Sequence, residues 1–195
     1  GLAYVPEERQ RQGGILSFSV LQNISLAGLA KFARGPWLSQ AKESALCSSM
    51  VERLRIKTSS HDLPLSGLSG GNQQKVVIAK WLGLNPRIVI LDEPTKGIDV
   101  GAKQAVYQLI AEMVEQGLAV ILVSSELPEV MNLAHRVVVM RRGLQVAEFA
   151  RGTVDAEAIV AAASGLTGQP HAPKPLPGAD VSAARTPHVK EALAT

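Results

Sequence analysis

Residues 68–99 decide the fold, and they read LSGGNQQKVVIAKWLGLNPRIVILDEPTKGID. Their first part, Leu68–Lys75, places Ser69 and two glycines at the start of a helical pattern that runs to about Leu84. Glycine lets the backbone approach a ligand closely, and the first N–H groups of a helix attract anions. The pattern predicts an anion-binding helix tip, although a Ser-Gly-Gly turn by itself is also typical of an ordinary capped helix.

The second part of this stretch is a strand that ends in two carboxylates. The run Ile88–Leu91 is apolar throughout, which is typical of a parallel strand buried on both faces. Because α/β folds bind ligands at the carboxyl ends of such strands, Asp92 is a candidate ligand for Mg²⁺, directly or through water. Glu93 is then placed to orient or deprotonate an attacking water. An Asp-Glu pair at a strand end is common, and alone it leaves a structural role open.

Strand and helix patterns alternate on both sides of this stretch. The expected strands are Leu2–Val5, Arg87–Asp92, Leu118–Val123, Arg136–Met140 and the hairpin return Leu144–Phe149. The expected helices are Ser19–Leu29, Ser39–Leu54, Ser69–Leu84, Gly101–Gln116, Leu127–Ala134 and Thr153–Ala163, with N-caps at Ser19 and Thr153 and a stop at Gly117. The segments Glu7–Gly14 and Thr58–Gly71 are expected loops. The alternation predicts an α/β fold with a largely parallel sheet.

Composition limits the classes of protein to consider. The 195 residues are 46% hydrophobic with a formal net charge of +3, which is enough for one sizeable core. Lysine and arginine are scattered, so nucleic-acid binding is not indicated. No apolar run approaches the roughly 20 residues that span a bilayer, and any membrane role is expected to come through a partner. The single cysteine, Cys47, excludes an internal disulfide and is expected to be a small buried hydrophobe.

The two ends of the chain carry expectations of their own. The opening residues, GLAYVP, read as a strand already under way, so we expect a piece of a longer protein. Four prolines fall within residues 170–177, and the rest of the tail is rich in alanine and polar residues. The tail, residues 166–195, is therefore expected to be disordered.

Several of these segments, in this order, resemble the nucleotide-binding domain of ABC-type P-loop NTPases. The matching segments are Leu68–Lys75 for the signature motif, Ile88–Glu93 for the Walker B strand, Gly97–Asp99 for the D-loop, and residues 4–7 at the position of the Q-loop. The resemblance covers roughly residues 1–150. It implies a partial domain over residues 1–165, with a helical subdomain at about residues 17–84.

The resemblance also implies a site and its cofactors. ATP and Mg²⁺ are the implied cofactors, with Glu93 as the catalytic residue and Asp92 as the metal ligand. The implied nucleotide-binding residues are Ser69, Gly70, Gly71, Asn72, Gln73, Glu7, Asp99 and Ser125. In this family each ATP lies between the P-loop of one domain and the signature motif of the other, so the motifs of one chain serve two different ATP molecules.

The particular form of the motifs narrows the resemblance further. Residues 68–75 and 92–102 are similar to the second nucleotide-binding domain of monosaccharide importers of the ribose, galactose and xylose type. The implied function is to couple ATP hydrolysis to sugar uptake at the cytoplasmic face of the inner membrane, as a peripheral subunit. The implied partners are a second ABC domain in a head-to-tail dimer, membrane permease subunits docking near Glu7 and Leu16–Val20, and indirectly a periplasmic sugar-binding protein, with no nucleic acid.

Three departures from the family pattern matter. The P-loop, Gly-x-x-x-x-Gly-Lys-[Ser/Thr], is absent and is expected before residue 1, so this chain alone is expected to be inactive or nearly so. Glu7 stands where the family has glutamine, and Ser125 stands where it has a switch histidine. Both changes weaken the site that uses Asp92 and Glu93. We therefore expect that site to be weak or silent, and the site completed by Ser69 to be active.

Two other classes of function stay open. A soluble ABC ATPase could act on DNA or ribosomes, but the roughly fifty residues between the Q-loop and the signature motif are far fewer than the long coiled coils of DNA-repair relatives. A degenerate regulatory module that only binds nucleotide is kept open by Glu7 and Ser125. The intact signature motif and Glu93 favour retained chemistry.

Overall fold

The computed structural model describes residues 1–34, 37–151 and 155–166, and it divides into two compact units, residues 1–135 and 136–195. The strands of the first unit are β1 (Leu2–Val5), β2 (Ala33–Arg34), β3 (Trp37–Leu38), β4 (Ile88–Asp92) and β5 (Ala119–Val123). Its α-helices are α1 (Val20–Ser25), α2 (Leu29–Phe32), α3 (Gln40–Arg53), α4 (Gly70–Leu82), α5 (Val100–Glu115) and α6 (Leu127–Leu133). A π-helical turn covers Arg9–Gly13, and 3₁₀ turns cover Leu26–Gly28 and Leu65–Gly67.

A three-stranded parallel sheet forms the centre of the first unit. Its order is β1-β4-β5, with Leu2 opposite Ile88 and Ile88 opposite Ala119. The expected α/β fold with a parallel sheet is confirmed. Parallel pairing brings the carboxyl ends of all three strands to one edge, which is where the candidate carboxylates lie.

The sheet is buried on one face only within the described residues. Val5, Val89 and Leu91 are fully buried under the helices, whereas Leu2 of β1 is 61% exposed and Ile88 of the central strand β4 is 36% exposed. The prediction that the central strand is buried on both faces is therefore wrong for this chain. The apolar run of β4 is continuous in sequence, but the helices α4 and α5 cover only alternate residues of the strands.

Helices α1, α3 and α4 pack together and bury a second set of apolar side chains. The α1 start is fixed by a capping box in which the Ser19 hydroxyl accepts from the Gln22 N–H at 3.1 Å and the Gln22 side chain accepts from the Ser19 N–H at 2.9 Å. This confirms the N-cap predicted at Ser19. Cys47 is fully buried on α3, and burial raises the pKa of its thiol to about 11, as expected of a packing residue.

Two local predictions differ from the structure. The expected loop Glu7–Gly14 contains the π-helical turn Arg9–Gly13. Such a single turn is too short to show a repeating pattern of apolar residues in the sequence. The expected N-cap Thr153 lies outside the described residues, and the structure places the N-cap at Asp155, whose carboxylate accepts from the Ala158 N–H at 2.7 Å. The helix predicted from Thr153 therefore begins later, at Ala156.

The second unit is a hairpin followed by one helix. Its elements are β6 (Arg136–Arg141), β7 (Leu144–Ala150) and α7 (Ala156–Ser164). The hairpin is antiparallel, as predicted, and its turn places Arg142 at φ +49° and Gly143 at φ +79°, the left-handed pair that tight hairpins favour. Residues 167–195, which cover nearly all of the tail expected to be disordered, lie outside the described residues. Among the described residues, no helix combines the length and apolar character needed to span a bilayer.

Candidate functional site

The strand ends bring Asp92, Glu93 and Ser125 to one edge of the sheet. Asp92 closes β4, and its Oδ2 accepts a hydrogen bond from the Tyr4 hydroxyl of β1 at 2.8 Å. Glu93 Oε1 accepts from the Ser125 N–H at 2.8 Å, just beyond β5. Glu93 has φ +44°, and its own N–H donates to the Val123 carbonyl at 2.8 Å. The left-handed backbone turns the chain sharply at Glu93 and aims its carboxylate along the strand ends.

Tyr4 belongs to this edge; it lies in the predicted Q-loop segment, residues 4–7, but it was not predicted as a site residue. Its hydrogen bond to Asp92 raises the pKa of the phenol, with burial and the negative charge of Asp92 acting in the same direction. An aromatic residue that alternates with buried Ala3 and Val5 carries the ordinary signal of a strand. Nothing in that signal marks the hydroxyl as a partner of Asp92.

The chemistry at this edge fits part of a magnesium site. Mg²⁺ takes oxygen ligands, and proteins usually supply one or two carboxylates while phosphates and waters complete the shell. The Asp92 carboxylate meets that requirement at a strand end. Among the described residues, no cluster of three or more His, Cys, Asp or Glu side chains could hold a metal alone.

The second part of the candidate site is the tip of α4. Ser69 is the N-cap, is exposed, and makes no side-chain bond to the helix N–H groups. Its Oγ accepts from Asn72 Nδ2 at 2.9 Å, while Asn72 Oδ1 accepts from the Lys57 N–H at 2.9 Å. The first N–H groups of α4 thus remain available to an anion, and the Ser69 hydroxyl still has a proton to donate.

A cavity of about 320 Å³ opens beside this tip and reaches the start of α5. Its lining residues are Lys57, Ser69, Gly71, Asn72, Lys75, Asp99, Gly101, Ala102 and Ala105. Ser69, Gly71, Asn72 and Asp99, four of the predicted nucleotide-binding residues, all line this cavity. Asp99 also caps α5, because its carboxylate accepts from the Ala102 N–H at 2.9 Å. The two lysines give the cavity a cationic wall.

Four of the eight expected nucleotide-binding residues do not line this cavity. Ser125 lies at the strand ends beside Glu93, and Gly70 begins α4 next to Arg9. Gln73 is buried, and its amide nitrogen donates to the Leu68 carbonyl at 3.0 Å, so it does not line the cavity. Glu7 forms an ion pair with Lys96. That ion pair raises the pKa of Lys96 and places Glu7 beside the D-loop.

A buried carboxylate network behind the strand ends was also missed. Glu129 on α6 is 1% exposed, and its two oxygens accept from Thr95 Oγ1 at 3.2 Å and from the Ser124 hydroxyl. Thr95 follows β4 and Ser124 follows β5, so one carboxylate ties together the turns after both strands. A helix of seven residues gives too little periodicity to show that Glu129 faces inward.

This network predicts a specific dependence of stability on pH. Burial raises the pKa of Glu129, so the folded protein holds this proton more tightly than the unfolded chain does. Stability should therefore fall as the pH rises from about 4.3, the ordinary value for glutamate, through the raised pKa. The variant Glu129→Gln stays neutral and should gain stability relative to the wild type over that range, measured as free energy of unfolding in urea. Glu52→Gln, on the exposed side of α3, is the control, and parallel curves for Glu129→Gln and wild type would contradict the prediction.

Comparisons with known proteins identify a family and relatives that this chain resembles. Residues 2–96 match a family model described as ABC transporter. The chain is 48% identical over 171 residues to the ribose import ATP-binding protein RbsA of Jannaschia sp. (strain CCS1), covering 88% of this chain and 33% of that protein. It is 46% identical over 168 residues to RbsA of Oceanobacillus iheyensis, covering 86% of this chain and 34% of that protein. The chain thus spans about a third of the length of these curated relatives.

Solved structures show a similar fold. An inward-facing metal-chelate type ABC transporter superposes with a TM-score of 0.71 at 16% identity, covering 84% of this chain and 63% of that chain. A dimeric ATP-binding cassette in a post-hydrolysis state, bound to ADP and Pi, superposes with a TM-score of 0.63 at 23% identity, covering 76% of this chain and 62% of that chain. At these identities the likeness concerns the fold alone.

Proposed function

The chain belongs to the ABC transporter family, and on that premise we propose that it is part of an ATP-binding subunit that couples ATP hydrolysis to import of a monosaccharide. The observation that carries the proposal is the uncapped tip of α4, with Ser69 and Gly71 opening into one cavity with Asp99. Such a tip offers N–H groups, a hydroxyl and a positive dipole end to an anion. A nucleotide triphosphate is the anion that the family chemistry supplies.

The two halves of the site serve different nucleotides in this proposal. The Ser69–Gly71 tip contacts the triphosphate that a second, P-loop-bearing domain presents, where it stabilises charge on the transferred phosphoryl group. Asn72 and Asp99 line the same cavity and position that contact, while Gln73 supports the helix from within. Asp92 holds Mg²⁺ of the other nucleotide, and Glu93 orients the attacking water there.

The second of these sites is the weaker one in this proposal. Its Glu93 carboxylate accepts the backbone N–H of Ser125, a residue whose short side chain cannot replace the ring or charge of a histidine. Glu7 is a carboxylate in an ion pair with Lys96, whereas the glutamine of the family pattern would offer an uncharged amide. The chain by itself lacks the P-loop motif and is therefore expected to turn over ATP negligibly.

The proposed substrate and partners follow from the relatives that the chain matches. Those relatives are named for ribose import, and we assign this chain to the broader monosaccharide class. The proposed partners are a second nucleotide-binding domain, membrane permease subunits and, through them, a periplasmic sugar-binding protein. The subunit acts peripherally at the cytoplasmic face of the inner membrane.

Photo-crosslinking from the segment before α1 tests the membrane partner. Phe18 is 37% exposed beside the Ser19 cap, so a benzoylphenylalanine at this position reaches any partner that docks there. In the full-length protein expressed with its permease, we expect crosslinks to the membrane subunit. The same probe at Glu115, exposed at the end of α5, should give none. ATP turnover without capture of a membrane subunit would favour a soluble ABC ATPase instead.

A further inference from the structure

The guanidinium of Arg9 joins three segments that are far apart in sequence. Its Nη1 donates to the Lys96 carbonyl at 2.7 Å, and its Nη2 donates to the Gly97 carbonyl at 3.1 Å. A planar fork that donates to two successive carbonyls fixes both the position and the direction of that backbone. The same Nη2 lies 3.0 Å from the point where a Cβ on Gly70 would stand, so Arg9 also packs against the first residue of α4.

A second contact binds the same two segments together. Glu7, two residues before Arg9, forms an ion pair with Lys96, whose carbonyl Arg9 already holds. An exposed ion pair of this kind contributes little by itself. Its effect here is geometric, because it adds a side-chain contact between Glu7 and Lys96, whose backbone carbonyl already accepts from Arg9.

The far end of the π-helical turn is fastened to α4. Lys80 is 8% exposed, and its Nζ donates to the Gly13 carbonyl. A Cβ at Gly13 would stand 3.1 Å from Val77, so the turn packs directly on the helix whose tip carries Ser69. The turn therefore touches the D-loop at one end and the body of α4 at the other, and it follows Glu7 directly.

We propose that Arg9 is a positioning residue that couples movement of the Glu7–Gly14 segment to the D-loop and to the tip of α4. This role rests on the proposed function, in which the segment near Glu7 meets the permease and the α4 tip completes the partner's ATP site. Displacement of the turn shifts Lys96 and Gly97 with it, because the Arg9 guanidinium is hydrogen-bonded to both of their carbonyl groups and cannot move along the backbone without breaking these bonds. Asp99, two residues further on, and Ser69 then move as one body relative to the second domain.

Arg9 and Arg11 offer a matched pair for the test. Both lie in the same π-helical turn, but the Arg11 side chain is 81% exposed, and its one side-chain hydrogen bond to the described residues goes to Glu8, at 3.4 Å. The experiment uses the full-length protein and measures ATP turnover with and without its permease subunits in lipid nanodiscs. The readout is the ratio of the two rates, which a general loss of folded protein does not change.

Arg9→Met should lower this ratio by about fivefold or more, the scale of a typical coupling between sites, whereas Arg11→Met should keep the wild-type ratio. Arg9→Lys keeps the charge but not the fork and should give an intermediate ratio, so it carries the test if Arg9→Met does not fold. If Arg9→Met folds and keeps the wild-type ratio, the inference is overturned. If only Arg9→Lys folds, a wild-type ratio in that variant overturns it instead. An equal fall of the ratio in Arg11→Met also overturns it. A wild-type protein without ATP turnover or without permease stimulation overturns the proposed function itself.

Discussion

Ser69→Arg should abolish ATP turnover by the full-length protein, with a loss of about 100-fold or more. Ser69 stands exposed at the uncapped start of α4, beside a cavity of about 320 Å³. A long side chain at this position fills the space in which the triphosphate has to lie, and it removes the hydroxyl donor. The measurement is steady-state phosphate release, with nucleotide affinity of the P-loop domain determined alongside. That affinity should change little, because the P-loop holds most of the nucleotide in this proposal.

The contrast with Glu93→Gln makes this prediction specific. A working general base contributes about 10²- to 10⁴-fold, yet Glu93 serves the site we expect to be weak, so its replacement should reduce total turnover by less than about tenfold. Ser66→Arg is the control for bulk and charge, because Ser66 is exposed in the 3₁₀ turn that precedes the same helix. The opposite outcome, in which Glu93→Gln abolishes turnover and Ser69→Arg does not, would overturn the assignment of the active site.

The local parts of the site were predictable because their signals are local. Ser69 at a helix start and Asp92 at a strand end are marked by the residues next to them, and the Ser19 cap is marked by Gln22 three positions later. A parallel sheet then places strand ends together whatever the loops do. This is why the segments that resemble the signature motif and the Walker B strand could be placed without coordinates.

The connections between these parts were not predictable, because their signals are distant or absent. Arg9 donates to carbonyl oxygens 87 and 88 residues away, and every residue of the chain carries a carbonyl. Glu129 depends on two hydroxyls that only the fold brings near α6. The cap of α7 was misplaced for a different reason, since Thr153 and Asp155 are both good N-cap residues and stand two positions apart.

Gly71→Ala should destabilise the described part of the chain and lower ATP turnover by the full-length protein, although it adds only one methyl group. A Cβ at Gly71 would stand 2.7 Å from the Ala102 Cβ, and Ala102 has no flexible end that can move aside. Helices α4 and α5 must then separate, at a cost of about 1–3 kcal/mol, against a gain of about 0.5–1 kcal/mol from replacing a helical glycine. Separation of the helices also moves Ser69 away from Asp99. A displacement of about 1 Å in a site can lower turnover by about 10²-fold.

A second substitution, on α5, can remove the collision, and the stability of the double variant then tests its cause. Ala102→Gly removes the methyl group that the new Cβ would meet, and the next nearest atoms, Ile98 Cγ2 and Ala102 Cα, stand at 3.7 and 3.9 Å. The double variant should therefore be more stable than the sum of the two single changes, with a coupling of about 1 kcal/mol or more in urea unfolding. Gly101→Ala is the control, since its Cβ would meet only Asp99 Oδ2 at 3.6 Å. If the changes in the free energy of unfolding were strictly additive, the prediction would be wrong. Ala102→Gly can offset Gly71→Ala only if the two side chains collide, so additivity would mean that the close approach of α4 and α5 does not hold the tip in place.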